Sequence, residues 1–277
     1  INILLEAGVP AGVVQLLPGR GETVGAKLTA DNRVRGVMFT GSTEVASLLQ
    51  RNIATRLDAQ GRPTPLIAET GGMNAMIVDS SALTEQVVVD VVASAFDSAG
   101  QRCSALRVLC LQDDIADHTL KMLRGAMGEC RMGKPGRLTT DIGPVIDAEA
   151  KANIENHIQA MRAKGRPVFQ AVRENSEDAR EWTSGTFVAP TLIELASFDE
   201  LKKEVFGPVL HVVRYNRNNL DQLIEQINAS GYGLTLGVHT RIDETIAQVT
   251  GSAKVGNLYV NRNMAVSYTH LTLPTIL

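Results

Sequence analysis

One cysteine set among small residues is the group in this chain best suited to covalent chemistry. Cys103 lies in the segment 96–106, Phe-Asp-Ser-Ala-Gly-Gln-Arg-Cys-Ser-Ala-Leu. An amphipathic run precedes this segment and an apolar run follows it, which predicts a helix over 84–96, a tight loop, and a strand over 105–111. Gly100 can adopt backbone angles that other residues avoid, and the small side chains leave room for a substrate beside the sulfur. Cys103 is therefore the candidate nucleophile.

A lone loop cysteine is more often structural than catalytic, so the assignment depends on two further segments. An apolar strand over 66–69 ends in Glu69 and is followed by Gly-Gly, and a carboxylate at such a flexible strand end suits a general base. The segment 37–44 predicts a strand that turns through Gly41 and Ser42 into a helix. The N–H groups at that helix start would bind a phosphate, although an ordinary turn with an N-cap is the commoner explanation of such a pair.

Strand and helix alternate along the chain with short loops between them. This alternation is typical of a parallel, doubly wound α/β sheet, in which ligands bind at the carboxyl ends of strands. In the first part of the chain we expect strands over 13–17 and 33–40. The helix after Ser42 should present one apolar face at i, i+4 spacing, formed by Val45, Leu49, Ile53 and Leu57.

The second part of the chain continues the alternation. Thr84 can cap the helix over 84–96, another helix should follow Asp114, and a third should start near Asp147 with Ile154, Ile158 and Met161 on its inner side. The charged segment 173–185 is expected to be an exposed loop. The remaining strands are predicted over 187–193, 209–215, 234–240 and 257–261.

Composition limits the classes of function. With 277 residues, 44% of them hydrophobic and 4% aromatic, the chain can form one large core or two modest ones. The net charge of −3 gives no reason to expect nucleic acid or an anionic membrane as a partner, and no apolar run approaches the length of about 20 residues that spans a bilayer. The cytoplasm is the expected location. The five histidines lack ligand-like spacing, so no metal site is expected, and Cys110 and Cys130 are expected to be small buried apolar groups in a strand and a helix.

Four motifs resemble the aldehyde dehydrogenase superfamily in their order and spacing. They are Phe-Thr-Gly-Ser at 39–42, Glu-Thr-Gly-Gly at 69–72, Gly-Gln-Arg-Cys at 100–103 and Glu-Val-Phe-Gly-Pro at 204–208. The resemblance implies an α/β, aldehyde dehydrogenase-like fold. Residues 1–71 would form the C-terminal part of a doubly wound, parallel-sheet NAD-binding domain, and residues 72–264 an α/β catalytic domain.

Two longer segments, 62–76 and 94–105, resemble the dehydrogenase half of the bacterial bifunctional proline utilisation A family. That resemblance implies NAD-dependent oxidation of L-glutamate γ-semialdehyde to L-glutamate, the second step of proline degradation. It also implies a small-molecule substrate, a homo-oligomeric parent enzyme, and FAD only in a proline dehydrogenase domain outside this chain.

The resemblance also assigns roles to individual residues. Cys103 would form a thiohemiacetal and then a thioester, and Glu69 would be the general base that activates water. The other matching positions would bind ligands: the pyrophosphate at Gly41 and Ser42, the nicotinamide ribose and ring at Glu204 and Phe206, and the substrate at Ser104.

The two ends of the chain carry expectations of their own. The chain starts without a methionine inside an apparent helix, so we expect an upstream portion that holds the family's oxyanion-hole asparagine and the lysine at the adenine ribose. The family pattern stops at Met264, and residues 265–277 are expected to be a non-family tail derived from an adapter or vector. The loop that anchors the substrate carboxylate should follow Met264. This segment is therefore expected to be a fragment with little or no activity of its own.

Three alternatives remain open at this point. A dehydrogenase for another semialdehyde, such as succinic semialdehyde, is disfavoured by the segment 62–76. A cofactor-free cysteine acyl-transferase or hydrolase is disfavoured by the anion-binding turn and by Glu204 and Phe206. A non-catalytic, interaction-only relative is disfavoured because both Cys103 and Glu69 are retained.

Overall fold

The computed structural model describes residues 1–57, 60–171 and 185–264. The chain forms two compact units, one over Ile1–Thr70 and the other beginning at Gly71. The expected boundary lies one residue further on, and the assignment of the units as a cofactor domain and a catalytic domain stays a proposal. The expected tail 265–277 lies outside the described residues, as does the expected loop 173–185 except for its last residue.

The first unit contains a two-stranded parallel sheet. Strand β1 (Val37–Thr40) pairs with β2 (Leu66–Glu69) so that Val37 lies opposite Leu66 and Thr40 opposite Glu69. Helix α3 (Thr43–Ile53) follows β1 after a two-residue turn. The remaining helical elements of this unit are α1 (Asn2–Glu6) and a five-residue π-turn (Gly21–Gly25) that continues into α2 (Ala26–Ala30).

Two sequence predictions for the first unit are wrong. The residues over 13–17 form no strand, because this exposed segment pairs with no neighbouring strand in the described part of the chain. The apolar face expected on α3 is also incorrect: Ile53 is buried, but Val45 is 43% exposed, and Leu57 lies beyond the end of the helix. The strand expected over 33–40 is present only in its last four residues.

The second unit is built on a seven-stranded sheet. Its strands are β3 (Ala75–Val78), β4 (Val108–Gln112), β5 (Val168–Gln170), β6 (Thr191–Glu194), β7 (Val209–Tyr215), β8 (Thr235–His239) and β9 (Asn257–Val260). Its α-helices among the described residues are α4 (Thr84–Phe96), α5 (Asp113–Glu129), α6 (Ala148–Ala163), α7 (Leu220–Ala229) and α8 (Asp243–Ser252).

The strand order across this sheet is β5-β6-β7-β4-β3-β8-β9. Only β5, at one edge, is antiparallel to its neighbour. Every residue of β3, β4 and β8 is buried, as expected for parallel strands covered on both faces. The predicted mixed α/β fold with a parallel sheet is confirmed.

Most of the elements predicted for the second unit are present, with differences in detail. Helix α6 begins after Asp147, whose side chain accepts a hydrogen bond from the Ala150 backbone, and it buries its predicted inner face of Ile154, Ile158 and Met161. Helix α4 is present, but Leu83 rather than Thr84 occupies its N-cap and no side chain caps it. Strand β3 was not predicted.

The cysteines outside the candidate site differ in their surroundings. Cys110 lies in the middle of β4, where burial raises the pKa of its thiol to about 12. Cys130 is not inside a helix as predicted; it is the half-buried residue that ends α5.

Within the part of the chain that the structure describes, none of the helices combines the length and apolar character needed to cross a membrane.

Candidate active site

The loop that carries Cys103 lies at the amino-terminal edge of the seven-stranded sheet. It leads directly into β4, and the residues that hold it come just before β3, β4 and β7. This differs from the general expectation that ligands bind at the carboxyl ends of parallel strands. The difference arises because the chain turns back sharply after α4 and presents Cys103 before it enters β4.

The turn after α4 contains three consecutive residues in the left-handed region. The φ angles are 56° at Ser98, 54° at Ala99 and 65° at Gly100. Only glycine adopts this conformation without cost, and for other residues it costs about 1–2 kcal/mol each. A Cβ at Gly100 would lie 2.2 Å from the carbonyl oxygen of Gly207, so the position needs glycine for space as well as for conformation. The surrounding structure must therefore hold this turn in place.

Asn74 holds the loop from the side of β3. Its Nδ2 donates to the carbonyl oxygens of Cys103 at 2.7 Å and Ala105 at 2.9 Å, and its Oδ1 accepts from the backbone N–H of Thr235. The side chain is 2% exposed, so these hydrogen bonds take the place of hydrogen bonds to water. Asn74 thus fixes the carbonyl groups on both sides of Ser104.

Arg107 holds the same loop from the side of β4. Its Nη1 donates to the carbonyl oxygens of Gly100 at 2.7 Å and Gly207 at 3.2 Å. Its Nη2 donates to the carbonyl oxygen of Arg102 at 3.0 Å. Nη2 and Nε both donate to Oε1 of Glu204, at 2.9 and 3.1 Å. The side chain is fully buried, and its five N–H groups are all used.

Glu204 and Phe206 lie on the segment that enters β7. Burial raises the pKa of Glu204 above its ordinary value, while Arg107 and the backbone N–H of Gly72 act in the opposite direction. The second oxygen of Glu204 lies where a Cβ on Gly71 would stand, so this carboxylate fits only beside a glycine. Phe206 is 46% exposed, and its ring centre is 5.2 Å from the Arg107 guanidinium carbon.

A pair of histidines, the buried His211 and the half-buried His157, lies next to the backbone of Arg107. His211 in β7 contacts the backbone oxygen of Arg107 through Nδ1 at 3.1 Å, and its Nε2 is 2.8 Å from Nε2 of His157 in α6. Burial lowers the pKa of His211 to about 3, and the proximity of His157 adds to the effect. Burial also lowers the pKa of His157, with Lys164 and Lys203 contributing. The pair is therefore neutral near pH 7.

The predicted site residues of the first unit lie together at the carboxyl end of its sheet. Glu69 is the last residue of β2, and its backbone oxygen accepts a hydrogen bond from the Gly41 N–H at 3.1 Å. Ser42 caps α3, since its Oγ accepts the Val45 N–H at 3.2 Å. All three predicted residues are exposed.

The predicted residues of the second unit also lie in one region. Cys103 is half-buried, Ser104 is 2% exposed, and Glu204 and Phe206 are joined to the Cys103 loop through Arg107. The pairing of Cys103 with Glu69, which belongs to the other unit, stays a proposal. Among the described residues, no group of three or more histidine, cysteine, aspartate or glutamate side chains could hold a metal ion.

Sequence analysis did not identify Asn74 or Arg107 as site residues. A signal for Arg107 was present: it is the one charged residue in the apolar run 105–111. A charge in a buried strand requires partners, and this requirement points to a carboxylate elsewhere in the chain. The sequence contains no comparable signal for the identity of that partner, which lies 97 positions further along.

The sequence profile of the aldehyde dehydrogenase family matches residues 1–273, and the chain belongs to that family.

Several known proteins resemble the chain closely. The bifunctional protein PutA of Escherichia coli strain K12 is 90% identical over 264 residues, which are 95% of this chain and 20% of that protein. A crystal structure of a bifunctional proline utilization A (PutA) protein superimposes with a TM-score of 0.87 at 49% identity, over 95% of this chain and 25% of the other. The 1-pyrroline-5-carboxylate dehydrogenase from Thermus, solved with bound NAD, gives a TM-score of 0.83 at 34% identity, over 95% of this chain and 49% of the other.

Proposed function

We propose that this chain is the dehydrogenase segment of a bifunctional enzyme of proline degradation. In this proposal it oxidises L-glutamate γ-semialdehyde, the open-chain form of 1-pyrroline-5-carboxylate, to L-glutamate. The observation that carries the proposal is the arrangement around Cys103: a thiol on a loop that Arg107 joins to Glu204, in a chain of the aldehyde dehydrogenase family. The names of its relatives support the substrate and NAD.

The chemistry assigned to this chain begins at Cys103. Its thiolate adds to the aldehyde carbon and gives a tetrahedral thiohemiacetal whose oxygen carries the negative charge. NAD, when bound, would supply the acceptor for the hydride that leaves this carbon. The product on the enzyme is a thioester of Cys103, and water must attack it to release the acid and restore the thiolate.

The backbone N–H of Cys103 is the oxyanion donor that we assign within this chain. A preorganised donor of this kind stabilises the tetrahedral adduct because it already points to the position where charge develops. The bonds from Asn74 and Arg107 to neighbouring carbonyls restrict the rotation of the adjoining peptide groups. The donor is therefore held by the same contacts that hold the thiol.

Glu69 is proposed as the base that removes a proton from the attacking water. This role rests on the family resemblance and on the exposed position of Glu69 at the end of β2. The carboxylate would accept the proton as the thioester carbonyl is attacked, and later release it to solvent.

The residues assigned to NAD fit the groups they would hold. Ser42 uses its Oγ for the Val45 N–H, which leaves the N–H groups of Thr43 and Glu44 without an intrahelical acceptor for a pyrophosphate oxygen. Glu204 keeps one oxygen on Arg107 and presents the other beside Gly71, where it can accept from a ribose hydroxyl. Phe206 has an exposed ring that can pack beside the nicotinamide.

The proposed function is tested in a complete enzyme. The matching 264 residues of the Escherichia coli relative would be replaced by those of this chain, and NADH formation would be followed with glutamate semialdehyde and succinic semialdehyde in parallel. We expect kcat/KM to be at least about 100-fold higher for glutamate semialdehyde, because succinic semialdehyde lacks the α-ammonium group and would leave the groups that bind it unpaired.

Other outcomes would identify a different function. Equal or higher activity on succinic semialdehyde would show that glutamate semialdehyde is not the preferred substrate. Hydrolysis of an activated ester by Cys103, with neither aldehyde oxidised, would favour a cofactor-free cysteine acyl-transferase or hydrolase.

A further inference from the structure

We propose that Arg107 is a positioning residue that couples the nucleophile loop to the cofactor-binding carboxylate. This inference rests on the proposed function and adds a residue to it. Arg107 would hold Cys103 and Glu204 at one fixed separation, so that the thiol and the nicotinamide ribose are placed relative to each other by a single side chain.

The hydrogen bonds of Arg107 divide between two segments that are about 100 residues apart in sequence. On the nucleophile loop it binds the carbonyl oxygens of Gly100 and Arg102, and Arg102 immediately precedes Cys103. On the segment entering β7 it binds the Glu204 carboxylate and the Gly207 carbonyl. The guanidinium therefore joins the two segments directly, with no intermediate side chain.

The chemistry of the guanidinium explains why arginine is needed. It is planar, with five N–H groups in a fixed fork, so rotation of one bond would break contacts on both segments at once. A lysine at this position would have three donors on one nitrogen and could not reach both segments with the same geometry. Full burial adds to this constraint, because an unmet N–H or an unpaired charge there is costly.

The backbone of Arg107 is itself held by hydrogen bonds to its neighbours, as a positioning residue requires. Its backbone N–H donates to Asn74 O at 2.9 Å, and its backbone oxygen accepts from the His211 backbone at 2.9 Å. It thus lies just before β4, the strand that has β3 on one side and β7 on the other. The Phe206 ring covers one side of the guanidinium, which makes the contact with the cofactor segment more extensive.

The coupling predicts an effect across the two segments. A change at Glu204 should alter the presentation of Cys103, although Glu204 is not on the Cys103 loop. The change at Glu204 should have no further effect on Cys103 in a variant whose residue 107 can no longer connect the two segments.

The experiment uses the chimeric enzyme with Arg107→Lys, Glu204→Gln and the double variant. Arg124→Lys is the matched control, since Arg124 also binds a glutamate, Glu194, at 2.7 Å but lies on α5 away from the Cys103 loop. The first readout is the rate at which iodoacetamide alkylates Cys103 without cofactor, followed on the peptide by mass spectrometry. The second is kcat and the KM for NAD.

We expect Arg107→Lys to slow alkylation of Cys103 and to raise the KM for NAD, each by about tenfold, because the two charge-assisted hydrogen bonds to Oε1 of Glu204 and the bonds to the loop carbonyls are lost. Arg124→Lys should stay within about twofold of the parent on both measures. Glu204→Gln should slow alkylation by about threefold in the parent and have no further effect in the Arg107→Lys background.

The proposal is overturned if Arg107→Lys matches Arg124→Lys, or if it lowers activity while alkylation of Cys103 is unchanged. If Arg107→Lys does not fold, the Glu204→Gln variant alone tests the proposal. An unchanged rate of Cys103 alkylation in that variant would show that the two segments are not coupled. Alkylation needs neither aldehyde nor NAD. The inference can therefore succeed or fail separately from the proposed function.

Discussion

At the scale of single residues, the site combines one reactive group with several groups that only hold it. Cys103 is half-buried, whereas Asn74 and Arg107 are buried and each donates hydrogen bonds to backbone carbonyls of the Cys103 loop. The sequence made Cys103 the candidate nucleophile through its small neighbours together with the segments that carry Glu69 and Gly41, and its catalytic role stays a prediction. The sequence could not identify Asn74, since a buried asparagine next to a strand resembles many others until its partners are known.

Glu69→Gln should separate the two halves of the proposed reaction. Glutamine cannot accept the proton of water, so steady-state NADH formation should fall by about 100-fold or more. Formation of the thioester does not need this base, and a first-turnover burst of NADH should remain in stopped-flow measurements. Glu6→Gln, at the end of α1, is the control and should leave both phases unchanged. Loss of the burst together with the steady-state rate would contradict the role given to Glu69.

The buried His211 predicts a loss of stability in mild acid. Its pKa is lowered from 6.5 to about 3, so the unfolded chain takes up a proton below pH 6.5 that the folded chain resists. Stability should therefore fall as the pH drops from 7 to 5, by about 1–2 kcal/mol. Denaturant unfolding at the two pH values measures the difference.

The matched control for this effect is an exposed histidine. The pH dependence should be smaller in His211→Gln and unchanged in His118→Asn. An equal dependence in His211→Gln would show that another group is responsible.

At the scale of elements, the turn between α4 and β4 is the part whose geometry determines where Cys103 lies. Gly100→Ala would place a methyl group 2.2 Å from one backbone oxygen and 2.9 Å from another, at a φ of 65°. We expect a loss of about 2–4 kcal/mol in unfolding free energy, together with loss of activity.

Gly125→Ala provides the matched control. Gly125 lies on the exposed side of α5 with no atom near the added methyl group, and alanine there should stabilise the helix by about 0.5–1 kcal/mol. Similar stability of the two variants in denaturant unfolding would contradict the requirement for glycine at position 100.

The elements also show which kinds of sequence prediction succeed. Helix α6 and strand β7 were predicted because each carries a clear pattern: an N-cap aspartate with a periodic apolar face, and a continuous apolar run. The segment 13–17 is equally apolar but forms no strand, since a strand needs a neighbour and local sequence does not provide one. Strand β3 was missed because its four residues follow a Gly-Gly motif that had already been assigned to the site.

At the scale of the whole molecule, the chain forms two units, one with a parallel sheet and one with a mostly parallel sheet, and the predicted site residues divide between them. The set of contacts that holds the Cys103 loop at the amino-terminal edge of the larger sheet could not be predicted. It depends on the strand order, which places β7 and β3 on either side of β4 and so brings Gly207 and Asn74 to Arg107. These contacts span up to about 100 residues, beyond the reach of local patterns.

Cys103 is proposed as the nucleophile of an aldehyde oxidation. NADH formation from glutamate semialdehyde in the chimeric enzyme carrying Cys103→Ala, with Cys130→Ala as control, tests this role. Cys130 is also half-buried, but it ends α5 and has no role in the proposed reaction. We expect Cys103→Ala to form no NADH above background and Cys130→Ala to keep the parent rate. NADH formation by Cys103→Ala at a rate near that of the parent would contradict it.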